Sequence, residues 1–410
     1  MNQKCKGAYD LLPEDMERFR YIEDAFRSSC INWGYQEIKT PTLEYLHLFT
    51  SAGTLTPNML NKVYSFLDWD GWSGERVVLR PDGTIPVARL YIENLLDKEI
   101  SRLFYVTNVF AFEETGKENR ERWQCGIELL SDSEHTSDVE MVMLGTEIVK
   151  NLRIQEFETR ISHAGVLKAL IKDLKLTPER ENVVLNELRE GNWKILDTVK
   201  TEPGLKNVID MLLSLKSDSR ALLENVKAIK YISRELNAAL DNFIQITKSL
   251  DTLGCKYVID ITSAGGFEYY TGICFNFISG GKRIGGGGRY DDLIPLIGGA
   301  KTPACGFALY IEPLMKLVTE QAKRNLQNGV LIRSTTSGQK GIKTCFELAE
   351  SLRKIGYVAE LEFGKRRNKF RWIVSVGKEK PAFTVTDRLK KSMKKGPSIE
   401  SVLDIIGGLH

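Results

Sequence analysis

Four consecutive glycines in the segment CFNFISGGKRIGGGGRYDDLIPLIGG, residues 274–299, constrain the fold more than any other feature of this chain. The run follows a strand-like stretch and precedes an apolar stretch typical of a core. Glycine is used where the backbone must turn sharply or where another group must approach closely. No GK[ST] follows the glycines, which excludes a nucleotide-binding P-loop. A hairpin in a small-molecule pocket and a flexible turn both remain compatible with the pattern.

The length of 410 residues predicts two or three domains, at about 100 to 200 residues per domain. The hydrophobic content of 42% and the charged content of 27% are typical of a soluble globular protein. No apolar run approaches the roughly 18 residues that a membrane span needs, and the first ten residues lack an apolar signal region. We therefore expect a cytoplasmic protein without membrane association.

The cysteines and histidines of the chain are dispersed. No two of the seven cysteines form a CxxC pair, and none of the four histidines has metal-ligand spacing with another histidine or cysteine. A disulfide framework or a zinc site requires such clustering. We expect reduced, mostly buried thiols and no metal site.

The charge is unevenly distributed along the chain. Residues 365–395 contain twelve Lys or Arg and two acidic residues, whereas the whole chain carries a net charge of +3. A basic tail is therefore attached to an acidic body. Such a run is usually a solvated face, but it can also attract phosphates, nucleic acid or an acidic protein.

The apolar periodicity predicts an α+β chain. Residues 10–34 have the spacing of an amphipathic helix that leads into a strand, YQEIKTPTLE, and the stretches SRLFYVTNVFAFEE and RERWQCGIELLS alternate like antiparallel strands. The glycine-containing stretch VYSFLDWDGWSGERVVLR predicts two strands before a helix that begins near Thr84. Residues 176–254 have helical patterns throughout, and the section after residue 328 alternates strands and helices.

Four stretches in order resemble the histidyl-tRNA synthetase family of class II aminoacyl-tRNA synthetases: YDLLPEDMERFRYIED with GYQEIKTPTLE, VVLRPDGTIPVARL, RWQCGIELL, and GGFEYYTGICF with GGGGRYDDLI and ACGFALYIEPL. The resemblance covers roughly residues 6–320. It implies an antiparallel sheet flanked by helices, formed by residues 1–175 and 255–325. It also implies a helical insertion at 176–254 and a small α/β domain at 326–410 that resembles a shortened anticodon-binding domain.

The resemblance also implies a histidine site. Asp82, Thr84 and Gln124 match the family positions that bind the amino group of histidine, while Glu128 and Tyr269, with the neighbouring Tyr270, match those around the imidazole. In the family the glycine run is the turn after the pocket strand, where absent side chains let the ligand approach. Each residue also has an ordinary structural interpretation: Asp82 as a helix cap, Gln124 and Glu128 as outward strand positions, and the tyrosines as common strand residues.

Three arginines of the synthetase pattern are absent. Ala111, Gly265 and Pro313 occupy positions where the family has arginines that stabilise charge developing at the α-phosphate of ATP. Arg120 and Arg122 remain nearby, with a spacing one residue shorter than that of the family. An intact amino-acid pocket without these arginines predicts histidine binding without adenylation, and hence no catalytic residues and no cofactor.

This profile resembles the branch of the family formed by regulatory subunits of ATP phosphoribosyltransferase. It implies a non-catalytic subunit that partners the short-form catalytic subunit in the first step of histidine biosynthesis, assembles as a homodimer or larger, and binds L-histidine. Those regulators usually lack a C-terminal domain such as the one beginning near residue 326. Two alternatives remain open: a divergent histidine–tRNA ligase, and a non-catalytic synthetase paralogue that binds tRNA through its basic C-terminal region.

Overall fold

The computed structural model describes residues 4–53, 60–68, 74–98, 100–131, 135–214, 221–229, 232–263, 269–318, 329–335, 338–362, 370–378 and 382–407. The chain divides into two compact units, Met1–Ala322 and Lys323–His410. The first contains the candidate site, and the second contains the whole basic run.

The first unit is built on an eight-stranded sheet. Its strand order is β1-β5-β6-β11-β10-β9-β7-β8, and the two parallel pairings lie at the edges, so the centre of the sheet is antiparallel. A three-stranded antiparallel sheet has the order β2-β4-β3. The strands are β1 (Gln36–Glu37), β2 (Leu43–Tyr45), β3 (Ser65–Leu67), β4 (Arg76–Leu79), β5 (Ile100–Phe110), β6 (Glu121–Ser131), β7 (Glu158–His163), β8 (Val258–Ile259), β9 (Ile273–Ser279), β10 (Lys282–Arg289) and β11 (Ala304–Tyr310).

The helices of the first unit alternate with its strands along the chain, and several of them pack against the large sheet. Their bounds are α1 (Pro13–Asn32), α2 (Leu46–Ser51), α3 (Thr84–Asn94), α4 (His135–Asn151), α5 (Ala164–Asp173), α6 (Pro178–Arg189), α7 (Pro203–Ser214), α8 (Ala221–Lys227), α9 (Arg234–Thr252), α10 (Leu293–Leu296) and α11 (Ile311–Leu317). The predicted antiparallel sheet flanked by helices is confirmed. The start of α3 at Thr84 agrees with the predicted position.

Helix α1 shows how the sequence pattern produces this packing. Pro13 occupies the first helical position, where a backbone N–H would have no acceptor within the helix, so the N–H that proline lacks costs no hydrogen bond. Phe19, Ile22 and Phe26 recur at helical spacing and are buried, and the ring of Phe26 meets that of Phe104 on β5 at a centroid distance of 5.9 Å. The apolar stripe of the helix therefore covers one face of the central sheet.

The glycine run is a strand, and the prediction that it forms a turn is wrong. Residues 285–288 belong to β10, which pairs with β9 on one side and β11 on the other, and the turn is formed by Gly280 and Gly281 with positive φ. A Cβ on Gly287 would collide with the backbone of β11, and a Cβ on Gly285 would lie 2.7 Å from the carbonyl oxygen of Ala308. Close packing of β10 against its neighbours therefore requires the glycines.

The stretch YQEIKTPTLE does not form the single strand that its pattern predicts. Gln36 and Glu37 pair with β5 in the large sheet, whereas residues 43–45 pair with β4 in the small sheet. Pro41 lies between the two pieces, and proline has no backbone N–H to donate to a sheet. The chain therefore passes from one sheet to the other at this point.

The described part of residues 176–254 forms α6 to α9 and a 3-10 helix at Trp193–Thr198, without a strand. The interpretation of this segment as a separate insertion, with the domain boundaries given above, stays a prediction. In the described part of the chain, no helix has the length and apolar character needed to cross a membrane.

The second unit has a five-stranded sheet in the order β13-β12-β14-β15-β16, covered by two helices. Its elements are β12 (Gly329–Ser334), α12 (Gln339–Lys354), β13 (Val358–Leu361), β14 (Trp372–Val376), β15 (Phe383–Asp387), β16 (Ser392–Gly396) and α13 (Ile399–Gly407). Neither β15 nor β16 is predicted from the sequence above: Lys394 and Lys395 obscure the alternation of β16, whereas FTVTD in β15 does alternate and was a signal that could have found it. The resemblance to a shortened anticodon-binding domain stays a prediction, and residues 363–369, between β13 and β14, lie outside the described residues.

Candidate functional site

The loop that precedes α3 is fixed by a buried arginine. The Arg80 guanidinium donates to the carbonyl oxygens of Thr40 at 2.9 Å, Pro41 at 2.8 Å and Asn108 at 2.7 Å, and to the Asn108 side chain at 2.7 Å. These contacts tie three separate segments together. The adjacent residues up to Asp82 are therefore held in one position against the large sheet.

Asp82 both caps α3 and faces the site. Its Oδ1 accepts a hydrogen bond from the backbone N–H of Ile85 at 2.9 Å, so the interpretation as a helix cap is correct. Burial raises the pKa of Asp82, while the N–H groups at the start of α3 counteract that shift. Capping uses only part of the carboxylate, since each carboxylate oxygen has two lone pairs. The remaining capacity is available to a ligand.

Glu128 is a buried carboxylate at the centre of the sheet, with a residue exposure of 1%. The Tyr105 hydroxyl donates to its Oε1 at 3.1 Å, and the Tyr290 hydroxyl donates to its Oε2. Burial raises the pKa of Glu128 to about 8, and hydrogen bonds from Tyr290, Thr84 and Tyr105 counteract this shift. The carboxylate is thus poised to exchange a proton or accept a hydrogen bond near neutral pH.

Strand register explains why the site residues share one face. Gln124, Gly126 and Glu128 alternate along β6 and therefore point to the same side of the sheet. Tyr105 stands opposite Gly126, and its ring occupies the space that a Cβ on Gly126 would need. A Cβ on Gly306, opposite Glu128, would likewise collide with the Glu128 carboxylate. Small residues therefore form the floor on which these side chains lie.

Tyr269 and Tyr270 also border the site. The ring of Tyr269 contacts those of Tyr270 and Tyr290 at centroid distances of 5.3 and 5.5 Å. Its hydroxyl is buried and has no hydrogen-bond partner among the described residues. A buried hydroxyl without a partner is destabilising, so a ligand that pairs with it would gain binding energy. The Tyr270 ring lies 2.9 Å from the position of a Cβ on Gly288.

The structure brings the six predicted site residues together. Asp82 and Glu128 are close enough for each charge to affect the other, and both raise the pKa of Tyr269 after the larger effect of burial. The side chain of Gln124 lies beside Gly83, next to Asp82 and Thr84. Whether these residues bind histidine stays a prediction.

Two residues of the site, Tyr105 and Tyr290, were missed by the sequence analysis. Tyr290 lies two residues after the glycine run in GGGGRYDD, and an aromatic residue so close to that run was a signal that could have found it. Tyr105 gave no such signal, because its place opposite Gly126 depends on the pairing of β5 with β6.

The site contains two carboxylates, four phenol groups, one threonine hydroxyl and one amide within a largely buried space. Carboxylates accept hydrogen bonds from ammonium and imidazole N–H groups, and phenols can both donate and accept. This combination suits a small ligand that carries an amino group at one end and a nitrogen heterocycle at the other. In the described residues, no group of three or more His, Cys, Asp or Glu side chains could hold a metal ion.

The positions of the absent arginines are partly described. Ala111 follows the end of β5, and Pro313 lies in α11. Gly265 lies outside the described residues. The two remaining arginines of this region have other contacts: Arg120 donates to the Glu113 carbonyl oxygen and stacks on Phe112 at 4.7 Å, and Arg122 pairs with Glu118 at 2.7 Å.

Comparison with known proteins gives a consistent result. A family model described as Histidyl-tRNA synthetase matches residues 7–314. An ATP phosphoribosyltransferase regulatory subunit of Dehalococcoides mccartyi is 43% identical over 100% of this chain and 99% of its own length. A histidine–tRNA ligase of Methanocaldococcus jannaschii is 33% identical over 90% of this chain and 87% of its own.

A solved structure shows the same fold. A crystal structure from Bacillus halodurans, described as an ATP phosphoribosyltransferase regulatory subunit/histidyl-tRNA synthetase, superposes with a TM-score of 0.77 and 26% identity. The match covers 90% of this chain and 94% of that one.

Replacing Glu128 with Gln is expected to remove a pH dependence of stability. The folded chain keeps the Glu128 proton up to about pH 8, whereas the unfolded chain loses it near pH 4.5, so the wild type loses stability as pH rises between these values. The Gln variant lacks this loss. Relative to the wild type, the free energy of unfolding of the Gln variant should therefore increase by on the order of 3 kcal/mol from pH 5 to pH 8.

Urea denaturation at pH 5, 6.5 and 8 measures this difference. The exposed Glu156, replaced by Gln, is the control and should follow the wild-type profile. Parallel profiles for the wild type and the Glu128→Gln variant would contradict the raised pKa.

Proposed function

This chain belongs to the histidyl-tRNA synthetase family, and from that premise we propose that it is the regulatory subunit of an ATP phosphoribosyltransferase in the first step of histidine biosynthesis. The proposal is carried by the 43% identity to relatives with that name along the whole chain. The 33% identity to a histidine–tRNA ligase reflects the family that both share. A cytoplasmic location fits this role.

The residues at positions 111 and 313 support a function without catalysis. Amino-acid activation joins a carboxylate to the α-phosphate of ATP, and preorganised cations stabilise the charge of that transition state. Alanine at 111 and proline at 313 supply no cation. Arg120 and Arg122 are engaged with Glu113 and Glu118. We therefore propose that the chain binds histidine without converting it to the adenylate.

The geometry of the site supports histidine as the ligand. Glu128 and the Tyr269 hydroxyl, which has no partner among the residues that the structure describes, match the two nitrogens of an imidazole. Asp82, Thr84 and Gln124 lie where an ammonium group needs acceptors. Histidine is also the end product of the pathway. A pathway enzyme whose regulatory subunit senses that product would be controlled by feedback.

An exposed apolar face supports assembly as a homodimer. Leu43, Tyr45 and Phe66 on the three-stranded sheet are 48%, 43% and 45% exposed, and Tyr45 and Phe66 both stand opposite Val77. These residues therefore share one side of the small sheet. Leu43 belongs to the stretch GYQEIKTPTLE, which resembles the interface motif of the family. We propose that a second copy of the chain covers this face.

A second candidate function is nucleic-acid binding by the second unit. The hairpin of β15 and β16 carries exposed lysines at positions 390, 391, 394 and 395. Such a cluster attracts polyanions, and the binding falls steeply as salt increases. Salt-sensitive binding of tRNA that is lost with Lys390→Ala and Lys391→Ala would support this candidate, whereas equal binding by wild type and variant would exclude it.

The central test is capture of the partner. Tagged chain should capture the short-form phosphoribosyltransferase catalytic subunit of the same organism, and the complex should be active and inhibited by L-histidine. Replacing Glu128 with Gln should keep capture but weaken histidine inhibition by about 1 to 3 kcal/mol, the scale of a charge-assisted hydrogen bond. The control Lys390→Ala, Lys391→Ala should behave as the wild type. Absence of capture would refute the regulatory function.

Pyrophosphate exchange with histidine and ATP should remain at background, because Ala111 and Pro313 leave the transition state without its cations. An active histidyl-tRNA synthetase assayed in parallel shows that the conditions support exchange. A robust, histidine-specific signal from this chain would favour the ligase alternative.

Sedimentation velocity at micromolar concentration should show a dimer or a larger assembly. Replacing Tyr45 with Glu and Phe66 with Lys should shift the protein toward monomer, because two charges would be buried at the interface. Phe346→Lys, at an exposed position on α12, is the matched control and should leave the assembly unchanged. A monodisperse wild-type monomer would contradict the proposal.

A further inference from the structure

Arg283 lies near the start of β10, where the strand is irregular. The pairing of β10 with β9 shifts by one residue between Arg283 and Gly285, so that Arg283 stands opposite Ile278 and Gly285 opposite Phe277. An extra residue in one strand changes the face to which the preceding side chain points. A Cβ on Gly286 would lie 2.7 Å from Nη2 of Arg283, so the guanidinium overlies Gly286. Without the bulge, Arg283 and Gly286 would point to opposite faces.

The face reached by Arg283 is the face of the candidate site. Gly126, Ala308 and Gly286 stand opposite one another on β6, β11 and β10. Glu128 is two residues from Gly126 and therefore on the same side. With about 4.8 Å between strands and about 6.8 Å between successive residues on one face, the Cα atoms of Glu128 and Gly286 are roughly 12 Å apart. An amino acid with a hydrogen bond at each end fits this span.

The sheet surface between the two charged groups is made of small residues. They are Gly126, Gly306, Ala308, Gly286 and Gly288, and the largest side chain among them is a methyl group. The side chains of Tyr105, Glu128, Tyr270 and Asn276 lie over the glycines and border this surface. The ligand of the proposed site would lie among these side chains, between Glu128 and the guanidinium.

Arg283 has hydrogen-bonding capacity that the described residues do not use. Its Nε donates to the carbonyl oxygen of Gly285 at 3.4 Å, and its guanidinium lies 5.6 Å from the centre of the Tyr310 ring. No carboxylate pairs with it among the described residues. Arg289 on the same strand is different, because its guanidinium is buried and contacts Asp138 and Asp291. A guanidinium has five N–H donors, so Arg283 can still form a bidentate contact with a carboxylate.

The charges of the ligand favour such a contact. Asp82 is acidic, Glu128 keeps its proton up to about pH 8, and a free amino acid adds an α-carboxylate to the same space. The positive charge of Arg283 already acts on the site, since it lowers the pKa of Tyr270 against the larger effect of burial. A cation at this end would compensate the α-carboxylate, while the acidic groups bind the ammonium and the imidazole.

We infer that Arg283 binds the α-carboxylate of the amino acid whose imidazole faces Glu128. The inference rests on the proposed histidine site. It adds the protein group that distinguishes an amino acid, which has an α-carboxylate, from the corresponding amine, which has none. Arg283, which the bulge in β10 turns toward the site, thereby supplies a positive charge, whereas Ala111 and Pro313 supply none. This one side chain makes the site prefer ligands that carry an α-carboxylate.

Calorimetric titration with L-histidine and with histamine, which has no carboxylate, tests the assignment. The wild type should bind L-histidine more tightly than histamine. Arg283→Met keeps an apolar stem over Tyr310 and removes the charge, so it should weaken L-histidine binding by roughly tenfold to a hundredfold and leave histamine binding within about twofold. Lys282→Met, at the adjacent exposed position, is the control and should leave both affinities unchanged.

The possible results separate the two hypotheses. If Arg283→Met weakens the binding of both ligands equally, or weakens neither, the role of Arg283 is refuted. The proposed histidine site still stands in that case, provided that the wild type binds L-histidine. A wild type that binds histamine as tightly as L-histidine would overturn it as well. A wild type that binds neither ligand would refute the histidine site itself, and the role of Arg283 with it.

Discussion

The buried carboxylate of Glu128, held between the hydroxyl groups of Tyr105 and Tyr290, is the interaction on which the rest of the site depends. A carboxylate in the centre of a sheet is stable only when its oxygens have partners. Those partners come from β5 and from the residue that follows β10, so the whole strand order must be correct before the site exists. The small residues at 126 and 306 are part of the same requirement, because any side chain there would displace Tyr105 or Glu128.

In the proposed function, this arrangement separates recognition from activation. The groups proposed to recognise an amino acid lie on β6, on the loop before α3 and at Tyr269 and Tyr270, and they are anchored by packing and by the contacts of Arg80. The cations that would act on ATP belong to other positions, two of which are Ala111 and Pro313. A synthetase-like chain can therefore lose these cations while its amino-acid pocket keeps its geometry. A regulatory subunit that senses histidine requires only the recognition part.

Much of the site could be predicted from the sequence because its residues lie in short motifs with fixed local roles. The RPDGT stretch combines a buried arginine, a capping aspartate and a helix start within five residues, and local capping chemistry determines that geometry. Gln124 and Glu128 share a face because strand alternation places residues four apart on the same side. Tyr105 could not be predicted, since its role depends on a cross-strand neighbour more than twenty residues away in the sequence.

The sequence by itself determined the α+β class, the family, the start of α3 and the six residues that converge on the site, because hydrophobic periodicity and motif spacing are local properties of the chain. Tertiary structure alone decided that the glycine run is a central strand, that the lysine-rich residues 392–396 form β16, and that Arg283 points to the pocket face. A glycine run is equally suited to a turn and to a tightly packed strand. Only the close approach of β9 and β11 on either side of β10 distinguishes these outcomes, and only the one-residue shift between β10 and β9 fixes the direction of Arg283.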